Sequence, residues 1–192
     1  MKRNYFVRLL VPVLIFAIST GAMAQSQVPL FRLWSWDHLY TTSAAEQASA
    51  QSIGYHPEGF EANVFMSQGS GMKPVFRLGR TAGTHFHHYY TSNVDEKNYL
   101  LSVAATGFSF EGVACFVFST QVQGTVPIFR LDRTYQPAQW FLWWQISPEI
   151  SADTVLTTRP SERNYLLSHG YYENQQFGSV IGFAFPGNLG SQ

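Results

Sequence analysis

The chain has 192 residues, and its twelve Lys and Arg balance twelve Asp and Glu, leaving no net charge. Without a basic patch, nucleic acid is excluded as the main partner. Charged residues are only 12% and aromatics 16%, so the chain builds a large aromatic core, displays rings for binding, or does both. Cys115 is the single cysteine; it excludes an intramolecular disulfide, and its apolar setting reads as a small buried hydrophobe.

The first 24 residues read as a secretory signal peptide. Lys2, Arg3 and Arg8 make a basic start, Leu9 to Ile18 is a short apolar run, and Ala22-Met23-Ala24 is a small-x-small cleavage site. No second apolar run reaches about 18 residues, so no membrane span is expected. The expectation is an exported protein, periplasmic or extracellular, with one mature domain over 25–192.

That domain says nearly the same thing three times. Val28-Pro29-Leu30-Phe31-Arg32-Leu33, Lys73-Pro74-Val75-Phe76-Arg77-Leu78 and Val126-Pro127-Ile128-Phe129-Arg130-Leu131 are one phrase. Downstream, Glu96-Lys97-Asn98-Tyr99-Leu100-Leu101-Ser102 is answered by Glu162-Arg163-Asn164-Tyr165-Leu166-Leu167-Ser168. Units of this length cannot bury a core alone, so they stack or close around an axis. Their bounds are about 28–72, 73–125 and 126–185.

Each unit opens with an extended segment in which Phe31 and Leu33 face one way, Leu30 and Arg32 the other. A second extended segment follows at His38–Thr42, at His88–Ser92 and, more weakly, at Thr154–Thr158. A helix comes next. Ser43 to Glu46 is a capping-box pattern, Asn93 to Glu96 a variant, and in the third unit Pro160 stands at the first helical position behind Arg159, a poor cap. Gly54, Gly107 and Gly170 end the helices. From Glu46, Glu96 and Glu162 these glycines lie 8, 11 and 8 residues on, which predicts a second helix about one turn longer. A closing strand completes the unit. A β-trefoil has the right number and length of repeats, but a helix in each unit argues against it. The fold expected is a β-rich α+β domain of three strand-strand-helix-strand repeats. They are arranged with pseudo-threefold symmetry, three small sheets meeting like short propeller blades, with Phe31, Phe76 and Phe129 in one shared core.

Phe31-Arg32-Leu33, Asp37 to Thr42, Glu46, Gly54-Tyr55 and Glu58-Gly59 resemble, nearly in order, the consensus of a family of exported repeat proteins known only as a domain of unknown function. The second unit matches at Phe76-Arg77-Leu78, His88 to Ser92, Glu96, Gly107 and Glu111-Gly112. In the third, Thr154 and Leu156 replace the His and Tyr. The resemblance implies an extracellular or envelope accessory domain, often attached to hydrolases, and names no reaction.

Arg32, Arg77 and Arg130 occupy one position in three units. Either each pairs with a carboxylate such as Glu58 or Glu111, or the three form a ring that captures an anion. Asp37, His38 and Tyr40, with His87, His88 and Tyr90, read in two ways: as hydrogen-bonded loop fixings, or as sugar-recognition groups beside Trp34 and Trp36. His85-Phe86-His87-His88 resembles a metal cluster, but two ligands on one face need a third that the other units do not supply. No metal and no cofactor are assigned. Trp140, Trp143 and Trp144 lie in an insertion of the third unit, either as a lid or as an aromatic platform for a glycan, lipid edge or protein. There is no nucleophile elbow, zinc-protease motif, phosphate loop or dinucleotide fingerprint. Glu149 and Asp153 could form a glycosidase pair, though nothing in the sequence sets their separation. The function expected is a secreted non-enzymatic module binding carbohydrate of a cell wall or glycoprotein. A protein-binding envelope factor, inhibitor or adhesion accessory is the alternative, and a metal-dependent hydrolase the second alternative.

Overall fold

The computed structural model describes residues 25–141, 144–147 and 151–189; the leader reading of residues 1–24 lies outside them. Divided at the bounds read from the sequence, the first unit comprises β1 (Gln27–Trp34), β2 (His38–Thr41), α1 (Ala44–Ser52) and β3 (His56–Phe65). The second comprises β4 (Met72–Ala82), β5 (His85–Thr91), α2 (Val94–Ser102) and β6 (Ser109–Phe118). In the third, β7 (Val126–Arg133) is followed by a hairpin of β8 (Gln139–Phe141) and β9 (Trp144–Ser147). Then come β10 (Asp153–Thr157), α3 (Pro160–Ser168) and β11 (Val180–Leu189).

The protein is mostly β-structure. Nine strands form one open antiparallel sheet, and β8–β9 pairs only with itself. Within each unit the first strand takes the second on one edge and the closing strand on the other. The expected three small sheets are instead one. Each closing strand keeps a free edge after pairing within its unit, and unpaired edge groups invite further pairing. Accordingly β3, β6 and β11 also bond one another, through Phe65 with Phe116, Phe183 with Phe118, and Phe185 with Asn63.

The first-strand alternation is as the sequence predicts, but the face that meets the centre is the other one. Leu30, Val75 and Ile128 share the central core with Tyr40, Tyr90 and Leu156. Phe31 packs outward on Leu33, Leu39 and Ala50, and Phe129 on Leu131, Val155, Leu166 and Tyr171. Phe76 meets Phe110 at 6.1 Å, with the Lys97 ammonium 5.0 Å above its ring. The three Phe therefore do not share a core. The helix side of the sheet has room for large rings, whereas the crowded centre takes mainly aliphatic side chains.

All three helices have nine residues. The extra residues of the second unit form a separate 3₁₀ turn, Ala104–Thr106, stopped by Gly107 at φ 69°, so α2 is not longer. Ser43 and Asn93 cap as expected, and Arg159 contributes no side-chain cap. The return half of the capping box is absent. A threonine two residues upstream accepts from the cap N–H instead, Thr41 at 3.0 Å, Thr91 at 3.0 Å and Thr157 at 3.1 Å. Glu46, Glu96 and Glu162 are thereby freed to reach across to another unit. Among the described residues no helix is long and apolar enough to cross a membrane.

Candidate functional site

The three arginines are the joints between units. Arg32 bonds Glu162 at 2.8 Å and Glu58 at 2.7 Å. Arg77 bonds Glu46 at 2.7 Å and Glu111 at 2.9 Å. Arg130, with no solvent exposure, grips Glu96 at 2.7 and 3.0 Å and faces Asp132 at 3.2 Å. Each takes a carboxylate from its own unit, Arg32 a second one in Glu61 at 3.3 Å, and one from the helix of a neighbouring unit. Glu58 and Glu111 are the partners the sequence suggests; the helix glutamates are not, although their repeated position after the cap was the available signal. With these carboxylates engaged, the anion-capture reading loses its donors.

A second ring of contacts lies at the start of the second strands. The His38 backbone N–H and ring Nδ1 both meet Asp153, at 2.9 and 2.8 Å. His88 meets Asp37 in the same two ways, at 2.7 and 2.8 Å. At the remaining junction His87 stands where the others have Asp, and Thr154 where the others have His; they touch at 3.2 Å. Donor and acceptor have thus changed together. Burial would lower the His38 pKa, but the Asp153 carboxylate outweighs it and holds the ring up at about 9. His87, buried without a carboxylate of its own, is pushed down to about 4. Asp153 also accepts from Tyr171 at 2.6 Å and is fully buried, which removes it from any glycosidase pair; Glu149 lies outside the described residues.

Tyr40 and Tyr90, expected beside a ligand, have no solvent exposure. The Tyr40 hydroxyl accepts from Leu156 N at 2.8 Å and donates to Leu156 O at 2.9 Å. The Tyr90 hydroxyl accepts from Tyr40 N at 2.8 Å. Each hydroxyl closes a backbone gap between units, so these two residues and the buried His38 belong to the scaffold, a correction to the sequence reading.

The rest of the expected set, the tryptophans of the insertion aside, divides among three pockets. One, about 480 Å³, lies between the β1–β2 loop, α1 and the β4–β5 hairpin, and is lined among others by Trp36, Asp37, Tyr55, His85, Phe86 and His88. Trp36, 62% exposed, stacks on His85 at 4.0 Å. Both Asp37 oxygens are occupied, by Tyr55 at 2.6 Å and by His88, so Asp37 orients the wall. Trp34 is half exposed, and with Trp36 and His56 it lines a smaller hollow alongside. His87 lines a different pocket, on the other face of the hairpin.

Among the described residues no cluster of three or more His, Cys, Asp or Glu could hold a metal ion. His85 stacks on Trp36, His87 meets Thr154 and His88 meets Asp37, so the three rings serve three neighbours. Trp140 and Trp144 lie in the β8–β9 hairpin, in register with Gln145 and Phe141; Trp143 is outside the described residues.

Residues 35–181 match the family described as a domain of unknown function, DUF5648. The chain belongs to that family. No curated protein and no solved structure matches it. The DUF5648 match takes in the Asp–His junctions and all three helix glutamates. It starts three residues after Arg32, the guanidinium that bonds Glu162.

Proposed function

We propose that this DUF5648 protein is an exported, non-enzymatic binding module for carbohydrate, taken in the pocket between the β1–β2 loop and the β4–β5 hairpin. The observation that carries the reading is Trp36, a largely exposed indole held flat against His85 at the mouth of a pocket of about 480 Å³. An indole face is the surface on which the apolar side of a pyranose stacks, and Ser35, Ser49, Thr84 and His88 bring polar atoms to the same walls. The scaffold is read as three like units about a pseudo-threefold axis. What supports this is that each Arg reaches the helix glutamate of a neighbour, in one cyclic sense. The export signal at residues 1–24 fits a ligand outside the cytoplasm.

The test is a glycan array on the mature protein followed by Trp36→Ala. Because the ring is exposed, the melting temperature should hold, while affinity for the best glycan falls by at least about 2 kcal/mol, some thirtyfold. Unchanged glycan binding by the variant would overturn the assignment. A second reading, a protein-binding envelope factor, rests on the β8–β9 hairpin, which carries Trp140 and Trp144 and pairs with no strand of the main sheet. Pull-down by the mature protein with no glycan signal would favour that alternative.

A further inference from the structure

The pocket on the opposite face of the β4–β5 hairpin is separate from that site and takes one residue of the expected set, His87. It has a volume of about 280 Å³ and lies between β5, α2, β7 and the segment before β11. Its polar groups are unlike those of the junctions around it. Arg80 and His87 face one another across the β4–β5 ladder, so their side chains are neighbours on one face. Arg80 lies 4.6 Å above the Phe108 ring and gives one N–H to Thr106 O at 3.2 Å, while its Nε has no partner. His87 is 4% exposed, and its Nδ1 has no partner either.

The proton on His87 can be placed by elimination. Thr154 has one hydroxyl hydrogen and gives it to Asp132 at 3.0 Å. Its oxygen, 3.2 Å from His87 Nε2, must therefore accept from that nitrogen. His87 is then the Nε2–H tautomer, and Nδ1 is a bare lone pair in a nearly dry wall. Beside it, Arg80 Nε is a bare donor. A buried acceptor and donor left without partners each carry a desolvation cost, and one chemical group relieves both. A hydroxyl donates to the ring nitrogen and accepts from the guanidinium. An anion satisfies Arg80 but sets negative charge against the lone pair. The surroundings are aromatic, with Tyr89 and Phe108 in contact at 5.4 Å and Tyr99 and Phe177 at 6.3 Å. Arg133 also lines the pocket, its guanidinium held by Ser151 O and the Tyr171 ring, and Glu96 and Asp132 on the same walls set carboxylates against its charge.

We infer that the pocket walled by Arg80, His87 and Phe108 is a second ligand site, taking a neutral polyhydroxyl group such as a hexopyranoside. It stands on the paired orphan atoms and does not depend on the reading of Trp36. The hairpin is the common wall of the two pockets, with His88 and Phe86 lining one and His87 the other.

The test is imidazole ¹⁵N spectroscopy of His-labelled mature protein with and without methyl glycosides of glucose, galactose and N-acetylglucosamine, and with methyl glucuronide as the acidic arm. The His87 resonances should show the Nε2–H tautomer. Nδ1 should shift towards the hydrogen-bonded range with a neutral glycoside, in the wild type and in Trp36→Ala alike. Arg80→Lys keeps the charge but lacks Nε, and should weaken that binding about tenfold, the cost of one hydrogen bond to a charged donor. Three results would each overturn the proposal: no response of His87 to any neutral glycoside, a response to the acidic arm alone, or a response lost in Trp36→Ala.

Discussion

At the scale of single residues, the tyrosine hydroxyls carry more than their chemistry announces. Tyr40 and Tyr90 lie fully buried and bridge backbone groups of another unit. Tyr40→Phe leaves Leu156 N and O without that partner, and Tyr90→Phe strands Tyr40 N. Each should cost about 1 to 3 kcal/mol, measured as a shift of the urea midpoint; an unmoved midpoint would return these hydroxyls to the ligand-binding role. The sequence offers a tyrosine on a β-strand beside a histidine, which serves a sugar or a backbone equally well. Only burial decides between them, and burial depends on the partner unit. The arginines separate in the same way. Arg130 is sealed with Glu96, whereas Arg77 and its partner Glu46 are partly solvated. Arg130→Met should therefore cost about 3 to 5 kcal/mol and Arg77→Met clearly less, since removing one partner of a dry ion pair strands the other. Equal losses in thermal unfolding would refute that ordering.

Among the elements, most of what the chain prints locally is found in place. The strand after each proline, the helix after each cap position and the glycines that follow α1 and α3 come from backbone preferences acting within a few residues, whereas α2 ends at Ser102, ahead of the turn that Gly107 stops. The misses come from features that such local preferences do not set, the joining of three expected sheets into one among them. The length of α2 was counted from Glu96 to Gly107, but a 3₁₀ turn shares that span. The inward face of the first strand was assigned by size to Phe31, Phe76 and Phe129, whereas the face is set by what lies across the sheet. Among the described residues, the β8–β9 hairpin has no strand partner beyond itself. Deleting residues 136–150 and closing the gap with a short Gly-Ser linker should leave a cooperative fold whose melting temperature moves by only a few degrees. Loss of the cooperative transition would show that the insertion is part of the core.

Across the whole molecule, the junctions make stability depend on pH. The folded pKa of His38, about 9, lies above its ordinary 6.5 because Asp153 outweighs burial; Glu58 at 3.5 Å and Arg32 at 3.4 Å are its other charged neighbours. Protonated His38 thus favours the fold fully below pH 6.5, and the contribution is lost as pH rises through 9. Between those values, equilibrium unfolding should lose roughly 3 kcal/mol. Cys115, pushed up to about 12 from 9 by burial, adds its own loss only above pH 9. On the acid side several groups oppose one another, with Asp153 held low by His38 and Glu162 by Arg32 while burial raises Glu61. Burial pushes His87 down to about 4, so falling pH costs stability. Asp132, raised to about 6 by burial, regains it. The alkaline limb is therefore the clean measurement, and a flat profile from pH 6.5 to 9 would contradict the His38–Asp153 assignment.

The bond from Arg32 to Glu162 spans 130 positions of chain, whereas Arg77 reaches back only 31 to Glu46. Closing the longer loop costs about 1.3 kcal/mol more in chain entropy, so it is the joint expected to form last. A nascent chain ending before β10 would hold Arg32 and His38 with neither Glu162 nor Asp153 to receive them. The opening strand can pair within its own unit, but its joint to the last unit must wait until the last helix has been made. Every molecule passes through a period when its first-made part is complete in sequence and unfinished in structure.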